Sequence, residues 1–181
     1  TATASSGLTV TYTSSDDNVA SVSGNTVTIH GVGTVTITAS QAGNGTYNPA
    51  PSVDQSFEVL PKNLTVTGLI AEDKVYDGTV AATLDFSGAT LVGVVGGDDV
   101  SLTGTAEFVD PNAGNDKDVI TALTLPGIDA ANYSLTQPTL TASILPASQT
   151  ITFDPLAPKT TADVPFALTA TASSGLTVEY T

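Results

Sequence analysis

Apolar and polar residues alternate along most of the chain, which places the apolar ones on one face of a half-buried strand. Leu8, Val10 and Tyr12 share such a face, as do Val27 and Ile29, and Val35, Ile37 and Ala39. Further along, Leu64 and Val66, then Leu123 and Leu125, then Leu140, Ala142 and Ile144 repeat the pattern. Glycine and asparagine separate these runs at Ser23-Gly24-Asn25, Gly31-Val32-Gly33, Gly43-Asn44-Gly45 and Gly96-Gly97-Asp98, where turns need a polar or unhindered backbone. Strands spaced by roughly eight to twelve residues are those of a β-sandwich. No segment has a helical period, and Ser15 to Ala20 is expected to form a single helical turn. The pattern predicts an all-β chain.

A longer period overlies the short one. Thr1 to Thr13 reads TATASSGLTVTYT and Thr169 to Thr181 reads TATASSGLTVEYT, so 12 of 13 positions agree at an offset of 168 residues, with Thr11 against Glu179 the exception. The chain holds one full repeat and an overlap, and the parent protein is expected to carry many copies in series. Inside the repeat, Val59-Leu60-Pro61 and Ile144-Leu145-Pro146 are two junctions of one style, 85 residues apart. Proline lacks an N–H and keeps its predecessor extended, so it ends a sheet without adding a floppy linker. The junctions divide the chain into residues 1–60, 61–145 and 146–181. The middle segment is a whole module, and the outer two are the later and earlier parts of a second kind of module. On this reading, residues 146–168 do not fold back onto residues 1–60 of their own chain. Ile151, Phe153, Phe166 and Leu168 instead pack against the next copy, whether covalently linked or a neighbour.

Composition narrows the functional classes. Thr and Val, which are β-branched and favour strands, are abundant, and the strong helix formers are scarce. Four lysines face 18 acidic residues and arginine is absent, for a net charge of −14. That charge disfavours nucleic acid and anionic lipid, which are bound through Lys and Arg. No uninterrupted apolar run is long enough to span a membrane. Cys and Met are missing, so cohesion comes from burial and backbone pairing, and no easily oxidised side chain is exposed. This profile suits an extracellular protein.

The run from Tyr12-Thr13-Ser14-Ser15-Asp16 through Val19-Ala20-Ser21-Val22 and Asn25-Thr26-Val27-Thr28-Ile29 to Gly31-Val32-Gly33-Thr34-Val35 resembles the bacterial immunoglobulin-like domains (group 2 type) of surface adhesins and invasins. Lys74-Val75-Tyr76-Asp77-Gly78-Thr79 looks like the opening of the YDG domain, and Ile128-Asp129-Ala130-Ala131-Asn132-Tyr133-Ser134-Leu135 like its end. The resemblance implies tandem immunoglobulin-like β-sandwiches in series within a very large exported bacterial protein at the cell surface. Its repeats space a distal binding region from the cell, in adhesion, biofilm or gliding motility. It brings no catalytic residues with it.

Several residues are candidates for chemistry. Tyr76-Asp77-Gly78 is read as a turn, with Asp accepting backbone hydrogen bonds, Gly at positive φ and the Tyr76 ring packed across the sandwich. Ca²⁺ takes six to eight oxygens from carboxylates, amides and backbone. The run Asp110, Asn112, Asn115, Asp116 and Asp118 offers these most densely, with Asp98 and Asp99 as a second candidate. Neither has EF-hand spacing, and a solvated acidic loop is the plainer reading. His30 is the sole histidine. Zinc sites need several N or S ligands and a Ser-His-Asp or Cys-His device needs more partners, so no enzyme is expected. A Lys–Asn crosslink would need Lys62, Lys74, Lys117 or Lys159 buried beside an acid, and nothing in the sequence marks any of them. The functional expectation is a stalk repeat whose partners are neighbouring copies of itself, with glycans or surfaces met at a distal tip. The alternative is a carbohydrate- or surface-binding module acting through the sandwich loops. The tyrosines and phenylalanines fall mostly at strand positions that read as core, which weighs against that alternative.

Overall fold

The computed structural model describes residues 1–181. The chain is all-β: seventeen strands and one 3₁₀ turn. In the first part, β1 (Thr11–Ser14), β2 (Ala20–Ser23), β3 (Thr26–Ile29), β4 (Gly33–Gln41) and β5 (Ala50–Val59) follow in order. They form an antiparallel sheet β1-β4-β5 and a β2-β3 hairpin. That hairpin closes on Gly24 at φ 61, the geometry that a two-residue turn needs at its first central position. The expected helical turn is present, with Val19 and Ala20 N–H both donating to the Asp16 carbonyl. Val19, Ala20 and Val35 are buried, with Ile37, Phe57 and Val59 packed against them.

The middle part holds β6 (Lys62–Thr67), β7 (Ile70–Ala71), β8 (Lys74–Val75), β9 (Ala81–Ala82), β10 (Leu84–Asp85) and β11 (Thr90–Val92). It continues with β12 (Thr103–Phe108), β13 (Gly114–Thr124), the 3₁₀ turn Ala130–Asn132, β14 (Tyr133–Leu135) and β15 (Leu140–Leu145). Five strands pair in the order β8-β15-β13-β12-β9, three as β11-β6-β14 and two as β10-β7, layers that are consistent with a β-sandwich. Their facing side chains make the main core: Ala71, Ala106, Phe108, Val119, Ala142 and Ile144. The strict alternation of Leu140, Ala142 and Ile144 is what aims β15 into it. Two pairings are parallel, β14 with β6 and β15 with β8, so the two sheets each tie the start of this part to its end.

In the last part only β16 (Ile151–Phe153) and β17 (Ala170–Ala172) are regular, paired antiparallel with each other. No strand of this part pairs with any strand of residues 1–60. Burial is uneven along the chain. Of 14 buried residues, Val19, Ala20 and Val35 precede Leu60, none follows Pro146, and the others lie between Leu64 and Ile144.

Two expectations need correction. Leu8 and Val10 stand outside regular strand, because β1 begins at Thr11. Val27 and Ile29 form the expected strand, but both are exposed, since no further strand covers that face of the hairpin.

Candidate functional site

The Tyr-Asp-Gly turn is a built feature. β8 delivers Lys74 under the turn, where its Nζ pairs with Asp77 at 2.7 Å. The same Nζ donates to the Thr79 carbonyl (3.1 Å), the Thr79 hydroxyl (2.9 Å) and the Ala81 carbonyl (3.1 Å). Asp77 Oδ1 accepts from the Thr79 N–H at 2.9 Å, and Gly78 supplies φ 80. The Lys74 ammonium, aided by the Thr79 donors, lowers the Asp77 pKa to about 2. Asp77 and Gly78 therefore play the roles the sequence indicated. Tyr76 does not. The residue is 44% exposed, and its N–H extends the β8–β15 pairing to the Leu145 carbonyl. That leaves the residue at the end of the five-stranded sheet, beside Asn112, Ala113 and Pro146 through Gln149 in an open cleft with Ser173, Ser174 and Leu176.

The opposite end of the middle part meets residues 1–60. There Asn132, placed by the 3₁₀ turn, accepts from the Val32 N–H through Oδ1 at 3.1 Å. The neighbouring Tyr133 is buried, receives the Val95 N–H at 3.0 Å and donates its hydroxyl to Asp98. The hydrogen bond from its hydroxyl to Asp98, with burial, raises the Tyr133 pKa. Ile29 to Val32, Val59, Leu60, Lys62 and this Tyr133–Asp98 pair line a shallow cleft across the Leu60–Pro61 junction. A third concavity, of about 350 Å³, opens on the first part and is lined by Thr1 to Ala4, Val10, Tyr12, Ile37, Ala39 and Val53 among others.

The candidate calcium ligands are not brought together. Asp110 Oδ2 lies 2.7 Å from Lys117 Nζ and its Oδ1 accepts from the Asn112 N–H at 2.8 Å; the Lys117 contact and then the Asn112 donor lower its pKa. Asn115, Asp116 and Asp118 belong to β13 and not to the loop. The ladder to β15 shifts register between Gly114 and Lys117, and Asp116 takes φ 49 in that bulge. Asp98 holds Tyr133, and the Asp99 N–H donates to Asp129 Oδ2 at 2.8 Å. No group of three or more His, Asp or Glu side chains has a metal-binding arrangement. His30 is exposed beside Ser21 Oγ, 2.7 Å away.

The lysines are where reading the residues alone fell short. Lys74 and Lys117 are largely covered, their side chains 17% and 13% exposed, and each is paired with an aspartate. The spacing Lys-Val-Tyr-Asp was the available signal, since a lysine three residues before a turn aspartate is within its reach.

Comparison with protein families bears on the middle part, where the model of the YDG domain matches residues 60–142. Residues 60–142 are a YDG domain. Its span runs from the Leu60–Pro61 junction to within β15 and includes the Lys74–Asp77–Thr79 network and the Asn132–Tyr133 corner. No curated protein matches the chain.

Proposed function

We propose that the chain is a stalk or filament repeat of a secreted bacterial cell-surface adhesin, non-enzymatic, spacing a distal binding region from the cell. The observation that carries this reading is the recurrence of 12 of 13 residues at an offset of 168, which makes a series of like units the natural arrangement. The flanking modules are read as immunoglobulin-like sandwiches alternating with the YDG domain. Supporting it, the Val32–Asn132 hydrogen bond crosses the first junction, so bending there breaks a bond. Pro61 and Pro146 shorten the connections. A charge of −14 keeps such a filament soluble.

The test is mechanical shape. A tandem of two 168-residue repeats is expected to scatter X-rays as a rod, lengthening by roughly 70–80 Å per repeat if each sandwich is on the order of 35 Å long. A compact profile would refute it.

A second reading, binding of glycan or another surface through the loops, gains one specific observation. The aromatic residues are not mostly core: Phe108 and Tyr133 are buried, while Tyr47, Tyr76, Phe153, Phe166 and Tyr180 are exposed. Tyr76 lines the cleft at the second junction together with Asn112 and Gln149, an aromatic in the company of polar groups as sugar sites require. Glycan binding by a single repeat that is lost in Tyr76→Ala would favour this reading over a purely mechanical one.

A further inference from the structure

Two segments of the YDG domain run side by side from one junction to the other. Residues 62–76 start at the Leu60–Pro61 junction, and residues 133–145 end at the Leu145–Pro146 junction. Their first residues pair in parallel as Lys62↔Tyr133, Asn63↔Ser134 and Leu64↔Leu135. Their last pair in parallel as Lys74↔Ile144 and Val75↔Leu145. The partners are 71 residues apart in the first pairing and 70 in the second. The segments thus keep their register while both cross from the three-stranded to the five-stranded sheet.

Bonds outside the ladders hold the same two segments. The Thr136 N–H donates to the Leu64 carbonyl at 3.0 Å, and the Tyr76 N–H to the Leu145 carbonyl at 2.8 Å. Asn63 Nδ2 donates to Thr136 Oγ1 at 3.0 Å, and its Oδ1 accepts from Ser134 Oγ at 3.3 Å. Asp73 Oδ1 accepts from the Ser143 N–H at 2.6 Å. Leu64 and Ile144, at 0% and 1% exposure, anchor one residue of each segment in the interior. On their other sides β6 is paired with β11 and β15 with β13, so neither strand is a free edge.

Lys62 lies in the first-junction cleft with Asn132 and Tyr133, and Tyr76 lies in the second with Pro146. Tension along the chain therefore draws Lys62 out of one end of the domain and Leu145 out of the other. For two parallel strands, that pull slides one along the other. The bonds of a parallel pair are evenly spaced, so under sliding they bear the load together. A pull that parts the strands at one end opens the bonds singly. Sliding also drags Leu64 and Ile144 from the interior, exposing apolar surface in the same step. We infer that residues 62–76 and 133–145 are a shear clamp that makes the YDG domain resist force applied along the chain. The direction of load rests on the stalk reading above, whereas the clamp belongs to the domain itself.

The chain has no cysteine, so paired cysteines set the direction of pull in single-molecule force measurements on the full chain. Lys62→Cys with Ala147→Cys pulls along the chain, and Lys62→Cys with Ala131→Cys pulls from one end; all three positions are exposed. Extension of residues 62–147 to roughly 300 Å identifies the axial event. Forced unfolding follows the barrier crossed and not the equilibrium stability, so the axial rupture force is expected to be about twofold higher or more. Equal forces would overturn the inference. The bond lost in Asp73→Ala lies at the far end from Lys62 and Ala131, so this variant should weaken the axial direction and leave the other unchanged. An equal loss in both directions, or in neither, would also overturn it. Equal forces in a chain whose tandem scatters as a rod would keep the stalk and remove the clamp; unequal forces with a compact profile would do the reverse.

Discussion

At the scale of single residues, the lysine–aspartate pair of the Tyr-Asp-Gly turn is the clearest case of chemistry put to structural use. Lys74 binds Asp77, two oxygens of Thr79 and the Ala81 carbonyl, so one ammonium joins β8 to the approach of β9. Because the folded Asp77 pKa is held down to about 2 from 3.8, its contribution to stability is complete above pH 4 and is lost as the pH falls toward 2. Asp77→Asn should therefore lower the melting temperature at pH 7 but leave a flatter acid limb between pH 4 and 2. Melting curves across that range check this, and parallel limbs would contradict it. Gly127 makes a different point. It holds φ 134, and a Cβ there would lie 2.1 Å from the Asp99 carbonyl oxygen. Its value lies in the close passage of two backbones, which no side chain permits.

At the scale of elements, β13 shows how a strand can carry an acidic stretch without becoming an ion site. Its alternation sends Val119, Thr121 and Leu123 inward, and the bulge ahead of Lys117 turns the lysine back to Asp110. A calcium ion at Asp110 would have to displace that ammonium, and Asp116 and Asp118 lie on the strand β13 and not in the loop. Melting curves in calcium and in EGTA should coincide, and a rise of several degrees with metal would restore the run as a site. The 3₁₀ turn Ala130–Asn132 has the complementary role of joining two parts of the chain through Asn132. Asn132→Ala should leave the YDG domain's unfolding free energy within about 1 kcal/mol of wild type while increasing the flexibility seen by X-ray scattering; an unchanged profile would remove the bond from any role in stiffness.

For the molecule as a whole, the distribution of burial sets a hierarchy. The YDG domain owns the principal core around Phe108 and Ile144, at 2% and 1% exposure, so Phe108→Ala should cost about 3–5 kcal/mol in denaturant unfolding. Residues 151–169 bury nothing and hold few backbone bonds. At dilution, their amides should exchange with solvent orders of magnitude faster than those of β12, β13 and β15. Comparable protection throughout would mean that the three parts unfold as one.

Much of this was legible from residue order, for a local reason. Period-two alternation, β-branched composition and glycine at turns are properties of neighbours in sequence, and they predicted an all-β chain, the turn at Asp77-Gly78 and strands such as β4 and β15. The repeat and the proline junctions are likewise visible in the letters themselves. What required the tertiary structure was everything that depends on which strand lies beside which. The same alternation that buries Ile144 leaves Val27 and Ile29 exposed, because only one of those faces has a sheet across from it. Tyr76 occupies a strand-like position yet lies at a sheet's end, and Lys117 looks like a surface lysine until the bulge returns it to Asp110. Alternation tells a side chain which way to point, but burial depends on a second surface contributed by distant residues, and that is decided only when the sheets assemble.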